Sequence, residues 1–227
     1  MLSHQFRKTG VQAVALLAFA LNGCSDDGEK LPGDLFIRSV LALEPGACEV
    51  VPRPDAAMLP FGVLDTSFGG GYFAPLLVGN SLPDDVRGAS LHTAVVRLQA
   101  EGGDATELTS VGTGFVPPTD GSEPGWGVMF AELVPAGFVA PEQPSVRFTV
   151  KVRVLGELAG GVGVESSELT FPISVCSGCL VAFPPQALDT TGRCVATEAE
   201  DVVPCIIGQD VAVDCRVCAN TNPLCQP

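Results

Sequence analysis

The chain has 227 residues, 12 of them basic and 26 acidic, for a formal net charge of −14. So acidic a surface repels a phosphate backbone before contact, which argues against nucleic acid as a partner. Hydrophobic residues at 46%, charged residues at only 17%, and 26 glycines with 19 prolines suit one domain of short strands and turns, or one domain with a small appendage, better than a bundle of long helices.

The first element is a processing signal. Arg7 and Lys8 precede the apolar stretch Val11 to Leu21, which only Gln12 interrupts, the layout of an n-region and h-region. A helix of that length rises about 16 Å, roughly half the hydrocarbon core, so it does not span a bilayer unaided. The stretch ends in Leu21-Asn22-Gly23-Cys24, which resembles the lipobox of bacterial lipoproteins. The resemblance implies removal of residues 1–23, attachment of diacylglycerol to the Cys24 sulfur, acylation of the new amino terminus, for example with palmitate, and residence in the bacterial cell envelope. Ser25, where inner-membrane lipoproteins of enteric bacteria carry Asp, implies the outer membrane. Two or three acyl chains anchor stably where one does not. Cleavage leaves 10 basic against 26 acidic side chains, a formal −16, so the lipid rather than charge carries the attachment.

Residues 24–33, with Asp26, Asp27, Gly28, Pro32 and Gly33, read as a flexible spacer. Residues 34–175 read as the folded body, with strands expected at Leu35 to Leu43, Met58 to Leu64, Tyr72 to Val78, Leu91 to Ala100 and Val128 to Val134, each bounded by Gly, Pro, Asp or Asn. The clearest pattern runs from Ser145 to Val154, where every even position is apolar and every odd one polar, the period of a strand with one wet face. Leu169 to Val175 alternates likewise, although Pro172 points to an edge or a non-bonding position. Glycines 156, 160, 161 and 163 separate these two runs, which are expected to pair antiparallel. The loop from Val116 to Gly125 belongs on the surface. Recurring strands and turns, with no long helix, predict an all-β fold, an immunoglobulin-like or Greek-key β-sandwich with a disulfide-rich C-terminal extension.

That extension is residues 176–227, which hold Cys176, Cys179, Cys194, Cys205, Cys215, Cys218 and Cys225, while Cys48 alone lies in the body. With Cys24 lipidated, eight cysteines remain as disulfide candidates, the even number an oxidising compartment requires. Seven tail cysteines cannot all pair among themselves, so full pairing ties Cys48 to the tail. Two other readings stand beside this one. Cys176-Ser177-Gly178-Cys179 and Cys215-Arg216-Val217-Cys218 have the spacing of a structural zinc site. Alternatively, Cys176 and Cys179 form a redox pair, although Pro184 and Pro185 leave little room for the helix that usually lowers the thiol pKa.

Enzymatic signals are sparse, and no catalytic or metal-ligating residue is assigned. His92 is the one histidine of the processed chain, so any Ser-His-Asp triad requires it; its strand parity with Ala94, Val96 and Leu98 points to the inner face, and its place near the strand start to the rim as the alternative. Gly69-Gly70-Gly71 lacks the lysine of a phosphate loop. The acidic clusters Asp26-Asp27, Asp84-Asp85 and Glu198/Glu200/Asp201 lack the spacing of a calcium loop. Trp126 and Tyr72 are too few for a stacking platform. Beyond the lipobox, the segments Gly71 through Asn80 and Val175 through Leu180 resemble those of cysteine-rich surface lipoproteins of myxobacteria, a resemblance that implies no particular activity. The readings therefore stand as follows: an acyl-anchored envelope lipoprotein in contact with the membrane and with an envelope protein or surface ligand; an envelope enzyme using His92 or Cys176/Cys179; and a zinc-ligating module. No cofactor is expected for the first.

Overall fold

The period-two pattern of the Ser145 to Val154 run extends to Leu158 in space: Phe148, Val150, Val152 and Val154 are buried while Arg147 and Thr149 are exposed. The computed structural model describes residues 31–44, 46–82, 88–119, 121–140, 145–182 and 204–214. Its strands are β1 (Leu31–Leu41), β2 (Met58–Leu59), β3 (Gly62–Asp65), β4 (Tyr72–Asn80), β5 (Ala89–Ala100), β6 (Ala105–Val116), β7 (Gly125–Val134), β8 (Val146–Leu158), β9 (Gly163–Ser166), β10 (Leu169–Cys176), β11 (Val181–Ala182) and β12 (Val213–Asp214). A 3-10 turn, Thr66–Phe68, follows β3. β1 begins at Leu31, within the stretch expected as spacer.

The all-β class holds, but the two-layer sandwich does not. The main sheet runs β2-β1-β4-β7-β6-β5-β8-β10-β3, and β9 pairs with both β1 and β8. Leu31 faces Val164 across a parallel ladder, and Gly156 faces Val164 across an antiparallel one. The seven strands β1-β4-β7-β6-β5-β8-β9 therefore close into a mixed barrel. Closure satisfies the backbone groups that two separate sheets would leave open at their edges. Within it, β8 lies beside β5, the first strand of the β5-β6-β7 meander, the Greek-key order.

The expected antiparallel pairing of 145–154 with 169–175 is present: β8 and β10 match over seven residues, with Phe171 opposite Val150. β10 is not an edge, because β3 pairs with its far side; that ladder begins at Ile173, one residue after Pro172. β6 is not among the strands expected from the sequence, and it carries Gly112 and Gly114 in its interior. Both stand where β7 crosses so closely that a Cβ on Gly114 would lie 2.7 Å from the Val128 carbonyl.

The barrel interior is filled, with Leu76, Val78, Met129, Leu133, Val152 and Ile173 all fully buried. Tyr72 packs beside Phe171 at a centroid distance of 6.2 Å. Its ring leaves no room at Gly62, where a Cβ would stand 2.7 Å from Tyr72 Cε2. Gly62→Ala should therefore displace the Tyr72 ring and cost about 1–3 kcal/mol, as overpacking does. Urea unfolding reads this directly, and an unchanged midpoint would contradict the close approach.

Candidate functional site

β3 is a short strand beyond the barrel ring, and no strand joins it to β4. The segment 204–211 fills that gap. Asp65 donates its amide to the Gly208 carbonyl (2.8 Å) and Asp210 donates its amide to the Val63 carbonyl (2.9 Å), with Leu64 bridged to Gln209. On the other flank the Gln209 side chain acts as a strand residue: the Phe73 amide donates to Oε1 at 2.9 Å, and Nε2 donates to the Phe73 carbonyl at 2.6 Å. Left-handed backbone at Gly208 (φ 81°) and Asp210 (φ 59°) shapes the turn, a conformation glycine adopts freely and aspartate tolerates.

Two carboxylates sit in this seam. Asp65 is fully buried; it accepts the Gly178 amide at 2.7 Å, the Leu180 amide at 2.8 Å, the Ser67 amide at 3.0 Å and the Ser67 hydroxyl at 2.6 Å. Burial pushes its pKa up, but these hydrogen bonds together outweigh it, led by the Ser67 hydroxyl, and hold the carboxyl below its ordinary 3.8. Asp210 accepts from the Val63 amide (2.8 Å) and the Tyr72 hydroxyl (3.0 Å to Oδ2). Here burial prevails over the hydrogen bonds and raises the pKa. The Tyr72 hydroxyl is raised in turn by burial and then by the Asp210 charge. Both acids have their oxygens occupied by donors, which makes them braces rather than bases aimed at a substrate.

Two disulfides frame the seam. Cys48 is bonded to Cys205 across 157 positions, with Cα atoms 5.2 Å apart, so the tail is stapled to the body. Such a bridge typically contributes about 2–4 kcal/mol. Cys176 is bonded to Cys179, and with Asp65 they bring two sulfurs and a carboxylate oxygen within 4.8 Å of one another. Sulfurs bonded to each other offer no thiolate to zinc. Cys24, Cys194, Cys215, Cys218 and Cys225, and the acidic clusters at 26–27, 84–85 and 198–201, lie outside the described residues.

Between β1, β2 and the tail segment lies a cleft of about 200 Å³, lined by Leu41, Leu43, Leu59, Pro75, Ile206 and Asp210. His92 stands elsewhere, exposed on the outside of β5, with Nδ1 2.8 Å from Thr93 Oγ1. The expected inner placement fails because a bulge between Leu91 and Thr93 breaks the strand's parity.

The outside of the barrel is divided. On β8 and its neighbours Lys151 pairs with Glu168 at 3.0 Å and Arg153 with Glu165 at 2.7 Å. The interior is apolar and packed; among the described residues no helix is long and apolar enough to cross a membrane. No family model matches the chain, and neither does any curated protein or solved structure.

Sequence reasoning missed Asp65, Gln209 and Asp210. The available signal was an acid set in an apolar context, Ile206-Ile207-Gly208-Gln209-Asp210-Val211, since a buried acid must be braced by donors.

The two acids respond oppositely to pH. Asp65, with a lowered pKa, contributes stability that is full above its unfolded value of 3.8 and is lost as pH falls through the folded value. Asp65→Asn, with its oxygen kept at the Oδ1 position, turns the acceptor facing the Leu180 amide into a donor and removes the charge, and should cost about 1.5–3 kcal/mol at neutral pH, the gap to the parent narrowing below pH 3.8. Asp210, with a raised pKa, makes the folded state lose stability as pH rises from 3.8 through its folded value. Asp210→Asn removes that cost and still accepts from Val63, so at neutral pH it should unfold no earlier than the parent. Urea denaturation of the oxidised protein at several pH values reads both.

Proposed function

We propose that the protein is an acyl-anchored lipoprotein of the bacterial envelope, held in the outer membrane, whose barrel serves a structural or binding role without catalysis. The observation that carries this reading is the bond between Cys48 and Cys205. Such bonds persist in oxidising compartments and are rare in the cytosol, which agrees with the export signal and with Cys24 as the lipid acceptor. The remaining four cysteines, Cys194, Cys215, Cys218 and Cys225, are then two further bridges.

The geometry weighs against the enzymatic alternatives. The Asp65 carboxylate beside the Cys176–Cys179 pair disfavours the thiolate that a thiol oxidoreductase requires. His92 is exposed on a barrel wall rather than set in the cleft.

Intact-mass analysis after thiol alkylation of protein taken from a bacterial membrane should find eight oxidised cysteines and an acyl mass on Cys24. Free thiols with bound zinc would overturn the reading. Cys24→Ser should release the protein into the soluble fraction, and unchanged membrane retention would refute the anchor.

A further inference from the structure

The outer face of β1, β4, β7 and β6 carries no charge over three consecutive rows, and all but Ser39 and Thr113 in them are non-polar. Phe36 lies opposite Gly79, which lies opposite Trp126; Ser39 opposite Leu77, opposite Val128; and Pro75 opposite Phe130, opposite Thr113. Phe115, two residues beyond Thr113, adds to the same face. Phe115 is 59% exposed and Phe130 45%; Phe36, Trp126 and Val128 are half-buried, and Pro75, Leu77 and Gly79 on β4 are buried between them, so the open part of the face is its β6–β7 side. Phe36 covers Gly79, where a Cβ would meet its ring, and stands edge-on to Trp126 at 5.5 Å. None of these positions is charged, in a chain with 26 acids; the first acid on this face is Glu132, opposite Phe73 in the next row.

A bulge between Ile37 and Ser39 extrudes Arg38 at the rim, exposed and without an ion-pair partner among the described residues. The opposite wall carries Arg97, Lys151, Arg153 and Glu168. Scattered apolar residues on a surface need no explanation, whereas a contiguous aromatic patch marks an interaction site.

The chain outside the described residues says which partner fits. Leu31 opens β1 seven positions after Cys24, and seven extended residues reach at most about 25 Å. The tether thus enters on the strand that carries Phe36 and Arg38, at a corner of the apolar face. We propose that this face lies against the phospholipid surface, with Phe115, Phe130 and Trp126 at the level of the headgroups and Arg38 directed at lipid phosphate, so that the barrel is held flat rather than swinging on its tether. Aromatic side chains favour that interface, and apolar burial there adds to the acyl anchor. The inference rests on lipidation of Cys24 and adds a second, separable contact.

Trp126 is the chain's single tryptophan, which makes it a reporter. The full lipidated protein is reconstituted into phosphatidylcholine vesicles with and without brominated acyl chains, then floated on a density gradient. Flotation with bromolipid quenching of Trp126 is the expected result, and Phe115→Ser/Phe130→Ser should still float while losing that quenching. Flotation of the parent without quenching would overturn the face contact and leave the anchor standing. Failure to float would overturn the anchor reading and this inference with it. A cross-linked two-chain species that the double variant loses, with Trp126 unquenched, would assign the face to a second copy and overturn the membrane contact.

Discussion

The gap between β3 and β4 is the constraint on which the rest of the structure depends. β9 closes the barrel where β1 begins, pairing Leu31 and Pro32 with Val164 and Glu165. At the opposite end of β1, that ladder is gone, and the wall continues from β8 through β10 to β3, which no strand connects to β4. A segment drawn from far along the chain completes it. Its backbone serves β3, its Gln209 side chain serves Phe73, and its cysteine is bonded to Cys48. A short irregular segment carries too few ladder bonds to hold itself there against the entropy of a long loop; the disulfide removes much of that loss from the unfolded side.

The two acids in the seam are solutions of different quality to the same problem. A buried carboxylate is tolerated when donors replace its hydration. Asp65 collects four, from two segments of chain, and stays ionised at little cost. Asp210 collects fewer, and one of them is the Tyr72 hydroxyl, which is itself deeply buried. Its charge is therefore disfavoured by burial, a cost that geometry imposes: its backbone must pair with Val63 while its side chain meets the Val63 amide and the Tyr72 hydroxyl. The left-handed φ of 59° belongs to the same compromise, since few residues other than glycine, asparagine and aspartate accept it.

How much of this was legible depended on whether each signal was local. β8 and β10 could be read because alternation lies within the strand, and their pairing because they are near neighbours in the chain. β6 could not: its inward positions 112 and 114 are glycine because β7 crosses too closely for a Cβ, so close packing presents itself in the sequence as turn propensity. Barrel closure was hidden because it rests on β9, four residues long, pairing in parallel with a strand over 120 positions earlier. His92 was misplaced by a single inserted residue at a bulge, which reverses every inference drawn from parity. The cysteine count, by contrast, carries long-range information without geometry: an odd tail must reach outward, and Cys48 is the residue it reaches. Asp65, Gln209 and Asp210 offered no motif, since Asp210 meets its partners at separations of 138 and 147.

The Cys176–Cys179 pair shows how one turn and one carboxylate support each other. The disulfide constrains the turn at 176–179, and this turn presents the Gly178 and Leu180 amides to Asp65. Those amides keep Asp65 ionised, and an ionised carboxylate beside the sulfurs disfavours a thiolate at that place. The oxidised pair thus shapes a nest of amides for the charge. The same CxxC spacing that reads as a redox motif or half of a zinc site acquires a structural role here from one residue, Asp65, that lies 111 positions before Cys176 and whose importance appears only when β3 is laid against β10.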